Sequence, residues 1–469
     1  MEGSTFKNIR LFLCPPSLAK IFAIGLVIRL AIAPWTSDPY DIYPFYAASV
    51  DMLAGMGMYG HAIFSYPPGF GMIMYPFMVL LSCFIDPALF GSFHSEILEI
   101  REIGANTDLI YPFITAPAFN LALKLPIIIG DLLVASMLYI MVREWKGDKL
   151  AKQAYMLWIF NPLTIWIGSV MGQFDVLAVL CTLIAVYFFI HHRNILTGLF
   201  LGIGVLIKVY PIYFGILFII YLLANSSSAW KERFISVINL ISGALVSTIL
   251  VLPLLFTTPQ MIDIIFRRAG NDTFGGINVW FPSSYIKNLT SSLENNISIE
   301  NFFQTPLFIM LIGLALVIVV SFILARSDNL PREKILFASV IVMVIALMFR
   351  SITNPQHLLW VLPFILLSSF VDKRMRTPMY ALTASGLLFS MALRSPAVVL
   401  YPLAAHTPLL TISQLNNIII AYFSAGSLLP ATLLALSSLV GVVAMIQAVL
   451  IISPFPSGKL RKKLWGTGR

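Results

Sequence analysis

Charge is what this chain has least of. Only 11% of its 469 residues are Asp, Glu, Lys or Arg, against about 25% in an ordinary soluble protein. So large a shortfall points to lipid as the main solvent. Cysteine is nearly as scarce: Cys14, Cys83 and Cys181 stand far apart, in or beside apolar runs, so neither a disulfide framework nor a metal-ligand set follows from them. Nor is a cleavable leader expected. The stretch to Lys20 lacks a small-residue cleavage pattern and the first apolar run contains Arg29, which predicts a retained first helix. The net charge of +9 is not arranged as a basic stripe interleaved with aromatics, so no nucleic-acid partner is expected. Tandem repeats, low-complexity tracts and a separate soluble domain are also absent from the sequence.

What is there is apolar. Hydrophobic residues make up 59% of the chain and the mean hydropathy is +0.89. Apolar runs of roughly 15–25 residues recur from residue 19 to residue 453, each about long enough to span or nearly span a bilayer. They are continuous, whereas barrel strands would be short and alternating. The expected fold class is an all-α polytopic membrane protein, one integral domain over residues 1–469.

Basic clusters set the orientation. They are Lys7/Arg10/Lys20, Arg143/Lys146/Lys149/Lys152, His191/His192/Arg193, Lys231/Arg233, Arg326/Arg332/Lys334, Lys373/Arg374/Arg376 and Lys459/Arg461/Lys462/Lys463. The positive-inside rule puts them all in the cytoplasm, and about twelve helices (range 10–13) satisfy that parity. Helix 1 covers about 19–36, helix 2 about 119–142, helix 3 about 154–171 and helix 4 about 175–190. A hairpin of two short helices, broken at Lys208-Val-Tyr-Pro211, precedes a helix at about 235–256. Residues 37–117 form a first outer loop with juxtamembrane helices, 257–305 a second large outer loop, and 454–469 a basic cytoplasmic tail. Residues 69–85 are apolar enough to span, but parity places them as a re-entrant or interfacial helix. Asn271, Asn288 and Asn296 head glycosylation sequons in the second outer loop; Asn225 heads another on the cytoplasmic side.

Ionisable groups at membrane depth are costly and so are functional candidates. Asp38 and Asp41 follow helix 1 at a spacing that shares one helix face. A partly desolvated carboxylate there suits a general base; a helix cap and a loop acid are the plainer reading. Lys124 and Asp131 share a face of helix 2, and a structural ion pair of Asp131 with Arg29 is the plainer account of both charges. Gln173 and Asp175 close a tight turn that could face a sugar, or Asp175 could cap a helix. Lys208 at the hairpin tip could hold a phosphate or snorkel to the surface. Arg267, Arg268, Trp280, Arg350 and His357 complete the outer set. Cations bind phosphate, aromatic rings pack the apolar faces of sugars, and an acid can activate a hydroxyl.

The chain resembles the GT-C superfamily of integral-membrane glycosyltransferases, and within it the polyprenyl- and dolichyl-phosphate-mannose-dependent mannosyltransferases. The resemblance rests on Asp38-Pro-Tyr-Asp41-Ile-Tyr43, Tyr66-Pro-Pro, Lys124…Asp131-Leu-Leu, Asn161-Pro-Leu and Gly172-Gln-Phe-Asp175. It continues in Lys208-Val-Tyr210-Pro211, Asn278-Val-Trp280 and Asn354-Pro-Gln-His357-Leu-Leu-Trp360. It implies a GT-C-like bundle and inverting transfer of a sugar, mannose foremost, from a polyprenyl phosphate to a hydroxyl of a glycolipid, lipid-linked oligosaccharide or glycoprotein on the non-cytoplasmic face of a cell or ER membrane. Asp41 is the implied base, with Asp38 second. Lys208, Lys124, Arg29, Arg350, Arg267 and Arg268 are assigned to the donor phosphate, and Gln173, Asp175, Tyr43, Tyr66, Tyr210, Trp280 and His357 to sugar or acceptor. No cofactor is required on this reading. Two residues separate the acids where a DxD metal site has one, so a divalent metal is not assigned. Beyond the bilayer, donor and acceptor, an accessory membrane subunit is compatible with the set. A transporter or lipid flippase is the alternative, but the broken hairpin has no matching second half.

Overall fold

A computed structural model describes residues 18–60, 63–97, 113–224, 229–258, 261–262, 275–282, 306–325, 331–424 and 428–453. The chain is all-α. Two pairs of very short strands, β1 (Gly91–Phe93) with β2 (Phe113–Thr115) and β3 (Gly275–Gly276) with β4 (Ile352–Thr353), only pin loops to one another.

Helix α1 (Ala19–Ile32) tightens into a 3-10 turn at Ala33–Trp35 and then meets α2 (Pro39–Leu53) at a bend of 84°. The bend has a local cause. Asp38 takes extended backbone dihedrals and its carboxylate accepts from Tyr40 N at 3.1 Å, while Pro39 supplies the first helical position. The chain continues in α3 (Gly69–Ser82). Fourteen residues reach about 21 Å, short of a bilayer's hydrocarbon core. One flank of α3 is buried through Phe70, Met74 and Met78, and another leaves Met72, Tyr75 and Leu80 exposed.

Helix α4 (Pro117–Lys146) is the central post and is buried along most of its length. After it come α5 (Asp148–Ile159), α6 (Pro162–Ile165) running into a π-turn at Trp166–Val170, and α7 (Asp175–Ile190). A continuous helix 3 over about 154–171 is therefore corrected. The chain breaks at Asn161, whose side chain accepts from Leu163 N at 2.9 Å, and Pro162 begins a new helix. The short hairpin is α8 (Asn194–Ile207) and α9 (Ile212–Ala224). Helix α10 (Trp230–Thr248) crosses α8 in close contact: a Cβ on Gly198 would lie 1.8 Å from Leu240 O, so that crossing admits no side chain there. The remainder is α11 (Pro306–Ala325), α12 (Pro331–Met348), a 3-10 segment Pro355–Trp360 leading into α13 (Leu362–Ser368), α14 (Arg376–Arg394), α15 (Tyr401–His406), α16 (Ile412–Ser424) and α17 (Leu428–Ile452).

By length and composition, three helices among the described residues can cross a membrane: Pro117–Lys146, Trp230–Leu254 and Leu429–Ile452. The count becomes five if each of two sharply bent pairs is one span. About twelve were expected. The difference arises because apolar segments such as α7, α8 and α9 stop at 13–16 residues, below the roughly 20 of a full crossing. The tail at 454–469, most of the loop at 257–305 and all four sequon asparagines lie outside the described residues.

Helix α7 has two chemically different ends. At its C-terminal end His191 Nε2 meets Glu144 Oε1 at 2.9 Å, and Arg332 reaches the same carboxylate at 3.3 Å. Three of the basic clusters thus gather at one end of the bundle. The candidate site residues gather at the other, about 24 Å away along the helix axis.

Candidate active site

Gly172 turns the chain from the π-helical segment into α7. Its φ is +76°, and an added Cβ would press on Ile42 and Lys124 at 3.2 Å, so the turn both needs glycine's left-handed conformation and has no room for a side chain. Beyond it, Phe174 stacks on Phe70 at 4.1 Å and meets Phe45 and Tyr66 edge-on. Asp175 follows at the first helical position and is fully buried. It is not the cap. Lys208 Nζ donates to its Oδ2 at 2.7 Å and Trp360 Nε1 donates to its Oδ1 at 2.7 Å.

Lys208 reaches this carboxylate because α8 ends on it in extended conformation, turning the side chain back toward α7. Its ammonium also lies 4.6 Å from the Phe174 ring centroid and 5.3 Å from that of Tyr66, a cation–π cradle that offsets part of its lost hydration. The side chain keeps 10% exposure. Lys208 does not snorkel; it is buried against aromatic ring faces.

Trp360 holds the far side. Tyr210 stacks on it at 4.3 Å and 9°, and bonds Thr182 through its hydroxyl at 3.1 Å. Arg350 lies over the same indole at 5.1 Å and His357 packs against it at 4.5 Å. The loop that carries them is pinned. Arg350 Nε donates to Ile352 O, Asn354 N donates to His357 Nδ1, and Asn278 Nδ2 donates to Arg350 O at 2.7 Å. Asn278 also accepts from Trp280 N, and the β3–β4 pairing ties the same two loops. Six residues singled out in the sequence — Tyr66, Asp175, Lys208, Tyr210, Arg350 and His357 — therefore converge around Trp360 and Phe174, and Trp280 sits on the loop that braces them.

Other candidates lie elsewhere. Arg29 is sealed in the bundle, with Nη2 at 2.6 Å and Nε at 2.8 Å from Asp131 Oδ2, while Trp158 Nε1 donates to Asp131 Oδ1. The structural ion pair is what forms. Lys124 is fully enclosed: its ammonium donates to Ala33 O, Thr36 O, Thr36 Oγ1 and Val170 O, closing the carbonyl ends of two helical turns. Both cations are bonded inside the wall, apart from Lys208 and Trp360. Arg267 and Arg268 lie outside the described residues. Tyr43 belongs to a separate aromatic cluster with Tyr46, Phe93 and Phe113.

Asp41 is half-buried in the first turn of α2 and Asp38 is buried as its cap. Asp41 stands one turn before Phe45, on the same helix face, and Phe45 touches both Phe174 and Tyr66 at 5.6 and 5.8 Å. Gln173, between Gly172 and Phe174, is wholly buried, and neither its Oε1 nor its Nε2 has a partner among the described residues. An amide left so costs about 1–3 kcal/mol, a demand that a hydroxyl-rich ligand or water would meet. Among the described residues no three His, Cys, Asp or Glu side chains converge as metal ligands.

Trp360 and Phe174 were quoted in sequence motifs but not taken as site residues. The signal for Trp360 was its type: an indole in an apolar run must find an acceptor for its N–H.

An apolar helical bundle with a buried cation–carboxylate pair among aromatic rings at one end is the setting of a GT-C-type membrane glycosyltransferase. Residues 107–351 match glycosyltransferase family 87, just over half of the chain, and the protein belongs to that family. It is also similar to GPI mannosyltransferase 1 of Kluyveromyces lactis, with 25% identity over 230 residues. That match takes in 47% of this chain and 53% of the yeast protein, so the chain spans about half the length of this relative.

Proposed function

We propose that the protein is an inverting mannosyltransferase that moves mannose from a polyprenyl (dolichyl) phosphate to a hydroxyl of a glycolipid, lipid-linked oligosaccharide or glycoprotein. The convergence of Lys208 with Tyr66, Phe174, Tyr210 and Trp360 carries this reading, because it joins an anion ligand to rings that suit a sugar face and a prenyl chain. The similarity to a mannosyltransferase supports the choice of sugar. The site faces the non-cytoplasmic side of a cell or ER membrane in this proposal, supported by its position opposite the basic end. A bundle of about twelve helices, several of them short or broken, is the matching topology.

In the reaction, Asp41 accepts the acceptor hydroxyl's proton as that oxygen attacks the anomeric carbon. The bond from that carbon to the phosphate oxygen breaks, and the electron pair leaves with the lipid phosphate. Lys208, with Arg350 behind it, neutralises the charge that develops there. Gln173 bonds sugar hydroxyls, and alignment of donor and acceptor supplies much of the remaining rate.

The test is transfer by the purified protein in nanodiscs with polyprenyl-phosphate mannose and a panel of acceptors. Asp41→Asn should lower kcat at least 100-fold with donor affinity retained. Full transfer by that variant would remove Asp41 from the base role, and movement of labelled lipid across vesicles without transfer would favour a flippase.

A further inference from the structure

We propose that Trp360 is a positioning residue for the donor lysine, acting through Asp175. The inference deepens the transferase reading and rests on it. Among the described residues each carboxylate oxygen of Asp175 has one partner: Lys208 Nζ on Oδ2 and Trp360 Nε1 on Oδ1, both at 2.7 Å. With one oxygen tethered, the carboxylate cannot rotate about its Cβ–Cγ bond without losing a charge-assisted hydrogen bond in a buried setting. The other oxygen therefore points where the Lys208 ammonium must sit. A lysine on a four-carbon stem has no geometry of its own; the indole gives it one.

Trp360 is itself held by further groups. Tyr210 stacks against its ring, and Thr182 anchors the Tyr210 hydroxyl. Arg350 and His357 pack against it from its own loop, and Asn278 ties that loop to residues 275–281. The rigid end of the chain Trp360–Asp175–Lys208 is thus the indole, and the movable end is the ammonium. An arriving lipid phosphate meets a cation already aimed.

The experiment is a double-mutant cycle in nanodiscs with Trp360→Phe, Asp175→Asn and the pair. Phenylalanine keeps a ring for Tyr210 but loses the N–H and one ring of the indole; the packing part of that loss is common to both arms of the cycle and cancels. Two quantities are read: donor KM and kcat in transfer, and affinity for polyprenyl phosphate alone. Trp360→Phe should raise the donor KM and the lipid-phosphate Kd about 10-fold, the scale of one charge-assisted hydrogen bond, and change kcat less than 3-fold. In the Asp175→Asn background the same substitution should add less than 2-fold. Additive effects, or an unchanged donor KM in Trp360→Phe, would overturn the proposal. Where Asp175→Asn fails to fold, the cycle is run on Lys208→Met with lipid-phosphate affinity as the readout, and additivity again overturns it. A wild type that binds polyprenyl phosphate with a non-additive cycle but transfers no sugar would sink the transferase reading alone.

Discussion

Two triads built to the same plan stand in this bundle. Arg29, Asp131 and Trp158 form one; Lys208, Asp175 and Trp360 form the other. In each, an indole N–H takes Oδ1 of the aspartate and a cation takes Oδ2. They differ in what surrounds the cation. Arg29 has no exposure, and its Nη1 donates to Gly25 O at 3.0 Å in its own helix. Lys208 keeps a tenth of its side chain exposed and rests on the faces of Tyr66 and Phe174. A guanidinium holds a carboxylate with a rigid fork, whereas an ammonium is a point charge on a flexible stem. One arrangement locks α1 to α4; the other leaves a cation where a ligand can compete for it.

The largest effect should come from breaking the closed triad. Arg29→Met strands the Asp131 carboxylate in the bundle with only Trp158, a loss of about 3–5 kcal/mol for a buried pair broken on one side. Thermal unfolding in detergent should show it as a large drop in Tm. The double change Arg29→Met/Asp131→Leu should recover most of the loss, since no charge is then left behind. An unmoved Tm in the single variant would mean that the two triads do not differ as described.

The closed triad was partly legible in the sequence, and the open one was not. An aspartate at position 131 of an apolar helix demands a partner, and Arg29 is the cation of the first apolar run. Asp175 and Lys208 each read as a ligand group, because nothing local shows that two residues 33 apart in the chain neutralise one another. Lys124 was illegible for the same reason: its carbonyl partners come from turns near residues 33–36 and 170, which only the tertiary fold brings together. The break at Asn161-Pro162 was written plainly as a cap followed by proline, but the apolar run around it suggested one continuous helix. Gly198 and Gly202, four apart, likewise announced the tight crossing of α8 on α10.

A smaller stability effect is expected at the open triad, and there function should suffer more than folding. Lys208→Met leaves Asp175 bonded to Trp360 and at the first position of α7, where the helix dipole favours a negative charge. The cost should be about 1–3 kcal/mol, while donor-dependent transfer should fall about 100-fold. The comparison is sharpened by plotting Tm against activity for Arg29→Met and Lys208→Met together. If Lys208→Met loses as much Tm as Arg29→Met, the second triad is also a lock and its residual exposure means nothing.

The smallest effect belongs to the ion pairs at the far end of α7. Glu144 joins His191 and Arg332, but the three side chains are about a third to a half exposed. Water and salt screen such pairs, and most contribute little. Glu144→Gln should shift stability by no more than about 0.5 kcal/mol and leave sugar transfer unchanged. Some 24 Å of helix separates it from Asp175, so a drop in transfer could arise only if α7 moved as a rod between its two ends. Measuring Glu144→Gln at low and high salt tests this directly. A loss of transfer that raised salt reproduces in the wild type would couple the two ends and break the division between a structural end and a working one.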